Sequence, residues 1–412
     1  MKSESLPGAI ASRARSAPEH VALVDGDRSL TYGELDAEVV RLANVLAAAG
    51  VRRGSRVASF LDRSIDAAIA TVAIMLAGAA CVPLDPALAP DRLADVLART
   101  GCTLAVGDAS AHGLPLVDVH AGDDGAAPSL PPLEAEDVAV VLAVAGPVPA
   151  EVAVAHGDLL ALLGATKGLF DFAAGDRWAL FHSMRSDVAI WEVAAALTSG
   201  GTAVVVPASV ARDGAAIDAF VERERIAILH QTPSSFRGVT AAQAKSGRAW
   251  PDLRWLVFTG EPIDRLTLRR FRARRAETAP GELPRLVNMY GTTETTILST
   301  FKLLEDAELA GELASPLGFT LAHQEIVLFG ETGAPVADGT AGEMWIRGSG
   351  VATGYVGDPP AAGGRFVRRA TPDGPARFFR TGDLARRRPN GELEYMGRTA
   401  PAASDEGATS SS

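Results

Sequence analysis

Short Val-rich runs alternate with stretches of helical periodicity through the first three quarters of this 412-residue chain, and that alternation constrains its fold most. Residues 29–50 (SLTYGELDAEVVRLANVLAAAG) read as a strand end followed by an amphipathic helix closed by Gly50. Residues 56–61, 204–207, 226–229 and 253–258 read as buried strands. Apolar strands separated by helices favour parallel sheets covered on both faces. Beyond Gly311 the pattern changes to short strands at 325–329, 342–347, 378–380 and 392–395. Turn signals such as Glu331-Thr332-Gly333 and Pro389-Asn390-Gly391 separate them, as in a small antiparallel barrel or sheet. A chain of this length exceeds one ordinary core, so two or three packed lobes are expected.

Composition narrows the function classes. The net charge of −11 argues against a general nucleic-acid or anionic-membrane surface. Cys81 and Cys102 are the only cysteines, which supports neither a disulfide framework nor a Cys-based zinc site and fits a reducing, cytoplasmic setting. The stretch Met1-Lys2-Ser3-Glu4-Ser5 lacks the apolar run of a signal peptide. Residues 67–84 run for 18 positions without a charge, the lower edge of spanning length. Their Ala-rich composition and the ending Cys81-Val82-Pro83-Leu84-Asp85-Pro86 predict a buried helix and a short core strand instead.

Asn288-Met289-Tyr290-Gly291-Thr292-Thr293-Glu294 carries the clearest chemistry. An aromatic ring, a Gly that permits close backbone approach, hydroxyls and a carboxylate suit a nucleotide with its Mg²⁺. Taken singly, Tyr290 also suits a core aromatic and Asp383 a turn. With this stretch, seven others resemble, in order, the amino-acid adenylation domains of nonribosomal peptide synthetases, within the acyl-adenylate-forming enzymes. They are Leu30-Thr31-Tyr32-Gly33-Glu34-Leu35, Leu76 through Pro86, Phe181-His182-Ser183, Trp191-Glu192, Gly342-Glu343 through Gly354-Tyr355, Arg380-Thr381-Gly382-Asp383-Leu384 and Gly397-Arg398. The resemblance covers about residues 6–398.

The resemblance implies an α/β fold: two α/β sandwich lobes with parallel-rich sheets (1–175 and 176–310) and a β-barrel-like lobe (311–398). Residues 399–412 (TAPAASDEGATSSS) read as a disordered tail. Such enzymes attack the α-phosphate of ATP with a carboxylate and hold the acyl-adenylate for a carrier thiol, chemistry that needs positioned donors and Mg²⁺. Carried over, Tyr290 would stack on adenine beside Gly291, Thr293 would touch the α-phosphate and Glu294 would help hold Mg²⁺. Asp383 would accept the ribose hydroxyls, with Arg398 nearby. Asp187 would pair with an amino acid's ammonium, since that charge needs a partner in an apolar pocket. Val188, Trp191, His230, Val257, Thr259, Met289, Ile297 and Leu298 would line the pocket. Asp187, Val188, Trp191 and His230 resemble a serine-selecting set, from which Leu298 departs. His230 suits a substrate contact or a core histidine equally.

Three departures bear on activity. The family's phosphate loop is rich in Gly, Ser and Thr and ends in Pro-Lys-Gly. Here residues 144–151 (VAGPVPAE) are about two residues shorter, hold no Ser, Thr or Lys, and keep Gly146 and Pro149 as plausible matches. Each lost contact costs about 1–3 kcal/mol, and Glu151, beside the missing Lys, is expected to repel a triphosphate. Second, Gly397-Arg398 is followed by Thr399-Ala400 and the polar tail, where the family continues with a hinge Asp and a lid domain carrying a Lys. Third, Met184-Arg185-Ser186 precedes Asp187, so Arg185 either neutralises that carboxylate or faces solvent. The basic stretch 265–275 (RLTLRRFRARR) reads as a solvated helix face or a docking surface.

The expectation is a degenerate adenylation-type protein acting as a scaffold or binding partner of peptide synthetase components, with a carrier or small accessory protein as the partner. One alternative is an ATP-dependent aminoacyl-adenylate former using a lid in trans. The other is a non-catalytic amino-acid or adenylate binding module.

Overall fold

The computed structural model describes residues 5–107, 113–122, 129–144, 150–278, 281, 283–311, 315–357 and 364–399. Helix Tyr32–Ala48 shows how local sequence sets an element. The Thr31 hydroxyl accepts from the Glu34 amide while the Glu34 carboxylate accepts from the Thr31 amide, which satisfies two orphan donors. Gly50, at φ 97°, turns the chain out of the helix. The uncharged stretch at 67–84 becomes the buried helix Ile65–Leu76 and strand Ala80–Pro83. Burying each of Ile69, Ile74 and Met75 contributes roughly 1.5–3 kcal/mol. No helix among the described residues is long and apolar enough to cross a membrane.

Two large sheets carry the architecture. The seven-stranded one has parallel strands Arg56–Ser59, Ala80–Pro83, Leu104–Val106, Leu116–Val117 and Val138–Val144, with Ala150–Ala155 antiparallel to the last. The second is parallel from Val21–Asp25 through Thr202–Val205, Arg177–Leu180, Ile228–Gln231 and Trp255–Phe258 to Arg285–Tyr290. It continues antiparallel through Thr300–Leu303 and Pro316–Thr320 into the strands beyond residue 320. Those C-terminal strands enclose their own core of Leu317, Ile326, Leu328, Met344, Ile346 and Phe379.

The sheets do not follow sequence segments one to one. Val21–Asp25 and Arg28–Thr31, from the first 175 residues, form the far edge of the second sheet. Gly354–Tyr355, from the C-terminal segment, pairs with Ala150–Ala155 in the first. The main hydrophobic core therefore runs between lobes and joins Leu42, Ile69, Val140, Trp178, Trp191 and Val287. Tyr32 fastens the same junction, donating to the Gly201 carbonyl at 2.8 Å. The tail beyond Thr399, Ala400 included, lies outside the described residues.

Candidate functional site

Strand Arg285–Tyr290 ends the parallel part of the second sheet and delivers Tyr290, Gly291, Thr293 and Glu294 to one place. Chain reversal there is tight. Thr296 and Ile297 both sit at positive φ, 55° and 72°, and a β-branched residue is strained in that region. A Cβ on Gly291 would meet the Ile297 carbonyl oxygen at 2.1 Å. Gly291 thus answers a close approach by its own chain.

Four carboxylates organise the site. Asp383 accepts the Tyr290 hydroxyl at 2.7 Å on one oxygen and meets Arg398 Nε at 3.0 Å on the other. Burial, reinforced by Asp383, pushes the Tyr290 hydroxyl well above its usual value, so it stays a donor. Glu294 is buried, and its Oε1 accepts the Tyr355 hydroxyl at 2.7 Å. Asp187, at the start of helix Asp187–Ser199, accepts the Thr293 hydroxyl at 2.7 Å and its neighbour Val188's amide at 2.8 Å. Burial pushes Asp187 up, against those two hydrogen bonds. The structure thus brings the expected adenylate-facing and ammonium-facing groups into direct contact.

The fourth carboxylate, Glu192, with His182 beside it, was matched in sequence but given no role. Glu192 is 1% exposed; Oε2 accepts from the Phe181 and His182 amides at 3.0 and 3.1 Å, and Oε1 lies 2.7 Å from His182 Nδ1. His230 stands edge-on, ring centroids 5.0 Å from His182 and 5.6 Å from Trp191. Its Nε2 pairs with the Thr259 hydroxyl at 2.8 Å, while buried Nδ1 has no hydrogen-bond partner. Val257, Met289, Ile297 and Leu298 are buried, and Val188 is partly buried. Trp191, Val257, Met289, Ile297 and Leu298 share one apolar cluster, against which Val188 packs.

Two expectations about charge change. Arg185 pairs with Asp85 at 3.2 Å and Asp62 at 3.7 Å, so it neither neutralises Asp187 nor simply faces solvent. Glu151 is 2% exposed and held by Arg99, with Nε at 2.9 Å and the second guanidinium nitrogen at 2.7 Å. Its charge is compensated within the first sheet's own packing, which corrects the expected repulsion of a triphosphate. Gly146 and Pro149 lie outside the described residues.

The fit to Mg·ATP is therefore divided. Tyr290, Asp383, Thr293 and Glu294 form a coherent set for a nucleoside and its first phosphate. Residues 144–151, which the family resemblance assigns to the remaining phosphates, carry no hydroxyl or cation in their sequence, and Pro147 and Pro149 have no amide donors.

Comparison with known proteins follows the same outline. A family model described as "AMP-binding enzyme" matches residues 10–356. Syringomycin synthase SyrB1 of Pseudomonas syringae pv. syringae is 37% identical over 402 residues, covering 94% of this chain and 63% of that protein. The chain thus spans less than two thirds of that relative's length. The solved nonribosomal peptide synthetase FmoA3 superposes with a TM-score of 0.86 at 27% identity, over 96% of this chain and 42% of that one. The N-terminal subdomain of Klebsiella oxytoca NpsA, in complex with 3-hydroxybenzoyl-AMSN, shares the fold: TM-score 0.84, 23% identity, 96% of this chain and 100% of that chain.

Proposed function

Because the chain belongs to the AMP-binding enzyme family and is similar to adenylation domains of nonribosomal peptide synthetases, we propose that it is a member with degenerate phosphate handling. It does not activate an amino acid by itself and acts as a scaffold or binding partner of peptide synthetase components, a carrier or small accessory protein among them. One observation carries this reading: residues 144–151 hold no Ser, Thr, Lys or Arg. Phosphoryl transfer depends on donors aimed at the phosphates, and side-chain donors of that kind are not encoded there. Arg99 supplies no compensation, since its guanidinium is spent on Glu151.

Calorimetric titration of the folded chain with Mg·ATP tests it. No heat up to millimolar nucleotide is the expected result. Micromolar binding would sink the reading and return the chain to the ATP-dependent ligases, with serine-dependent pyrophosphate exchange as the next assay.

The cluster Tyr290–Asp383–Arg398 favours a second reading, a module that binds an adenylate without chemistry. A monophosphate ester asks nothing of residues 144–151. Binding of AMP or a seryl-adenylate analogue, with none of ATP, separates this reading from a pure scaffold.

A further inference from the structure

We infer that His182, Glu192 and His230 form a binding site for a divalent transition ion, zinc foremost. One ligand atom from each of the three lies within 4.8 Å of the others. Two imidazoles and a carboxylate are a donor set that suits zinc, cobalt and nickel, with a further coordination position left for water or a small ligand.

One imidazole nitrogen of His230 is left free for it. With Nε2 engaged by Thr259, Nδ1 is the nitrogen left over, buried and without a hydrogen-bond partner. A metal ion would satisfy that bare polar atom. Groups around the trio are already fixed: Thr259 orients His230, and the Phe181 and His182 amides hold Glu192 Oε2. Such outer contacts set ring orientation and ligand basicity at metal centres.

Access and charge agree. The His182 side chain is 17% exposed while that of Glu192 is 1% exposed, so the trio is reached from one rim. Arg63 interacts electrostatically with Glu192 and Asp187 with His182, one charge of each sign. Glu192 therefore supplies the negative charge of the site. The ion would sit at the edge of the apolar cluster, beside Trp191. This inference is independent of whether the chain binds a nucleotide.

The test is a titration of the chelator-stripped chain with Co²⁺, followed by visible ligand-field absorption and reversed with Zn²⁺. One ion per chain is expected. His182→Gln and His230→Gln should each weaken binding at least tenfold, and Thr259→Val about tenfold through the outer shell. Absence of the absorption overturns the proposal, as does wild-type affinity in both histidine variants, which would mark surface binding. Should a variant fail to fold, X-ray absorption of the Zn²⁺-loaded wild-type chain decides. Imidazole scattering from two rings supports the site, and a spectrum without imidazole removes it.

Discussion

The hairpin of Val138–Val144 and Ala150–Ala155 and the cluster around Tyr290 belong to different sheets, yet residues 352–356 stitch them together. Gly354–Tyr355 pairs with the hairpin, and the Tyr355 hydroxyl reaches Glu294. The cluster is polar, with each carboxylate matched to a hydroxyl or guanidinium. The hairpin is apolar apart from Glu151, and every residue of Ala150–Ala155 is buried. The hairpin buries apolar side chains in its own sheet, whereas the cluster buries polar groups that satisfy one another. The difference teaches that a buried carboxylate is kept in either setting only with a partner, Arg99 for Glu151 and a hydroxyl for Glu294.

The sharpest way to break that comparison is Arg99→Ala. Removing the partner of a nearly dry carboxylate leaves Glu151 uncompensated and should cost about 3 kcal/mol by denaturant unfolding. Stability should return in the double variant Arg99→Met with Glu151→Leu. An unchanged unfolding midpoint in the single variant would show that Glu151 reaches water or the cleft after all.

Next in size, Tyr290→Phe deletes a hydrogen bond to a charged acceptor and should cost about 2 kcal/mol in the same assay. No loss would mean that the cluster does not serve folding, and persistence for a ligand would become the better account.

The smallest effect sharpens the hairpin side. Asp158 caps helix His156–Lys167 by accepting the Ala155 amide, and burial pushes it up to about 6 from the ordinary 3.8. The folded state therefore binds the extra proton, and this group's contribution is lost as pH rises through that window. Asp158→Asn keeps the acceptor and removes the titration. The variant should gain on wild type as pH rises from about 4 to about 6. The gain is about 1–2 kcal/mol, half of the two-unit shift after allowance for partial exposure. Parallel stability–pH curves for the two proteins would contradict it. Buried His156, held at about 4, acts in the opposite sense and is common to both proteins, so it cancels in the difference.

Much of the fold is legible in residues 29–50, 67–84 and 253–258, because capping, helical period and apolar strand runs are local properties. The residues that meet around Tyr290 are legible too, since residues 288–294 and Asp383 sit in recognisable runs. Less legible are the partners of Glu151 and Arg185. Arg99 and Asp85 lie 52 and 100 residues away, and no local pattern announces a contact at that separation. His182 and Glu192 stand ten positions apart across a strand end and the next helix, a spacing that says nothing until the turn is formed.

The sequence by itself determined the alternation of strand and helix, the order of the family's motifs and the loss of donors from residues 144–151, because each is written in neighbouring residues. Only the tertiary structure decided that Glu151 is neutralised, that Thr293 holds Asp187 and that the His230 ring, its Nδ1 unpartnered, packs edge-on against His182. Those outcomes depend on which side chains long-range packing drives together and strips of water, and charge and hydrogen-bond partnership follow from that desolvated geometry.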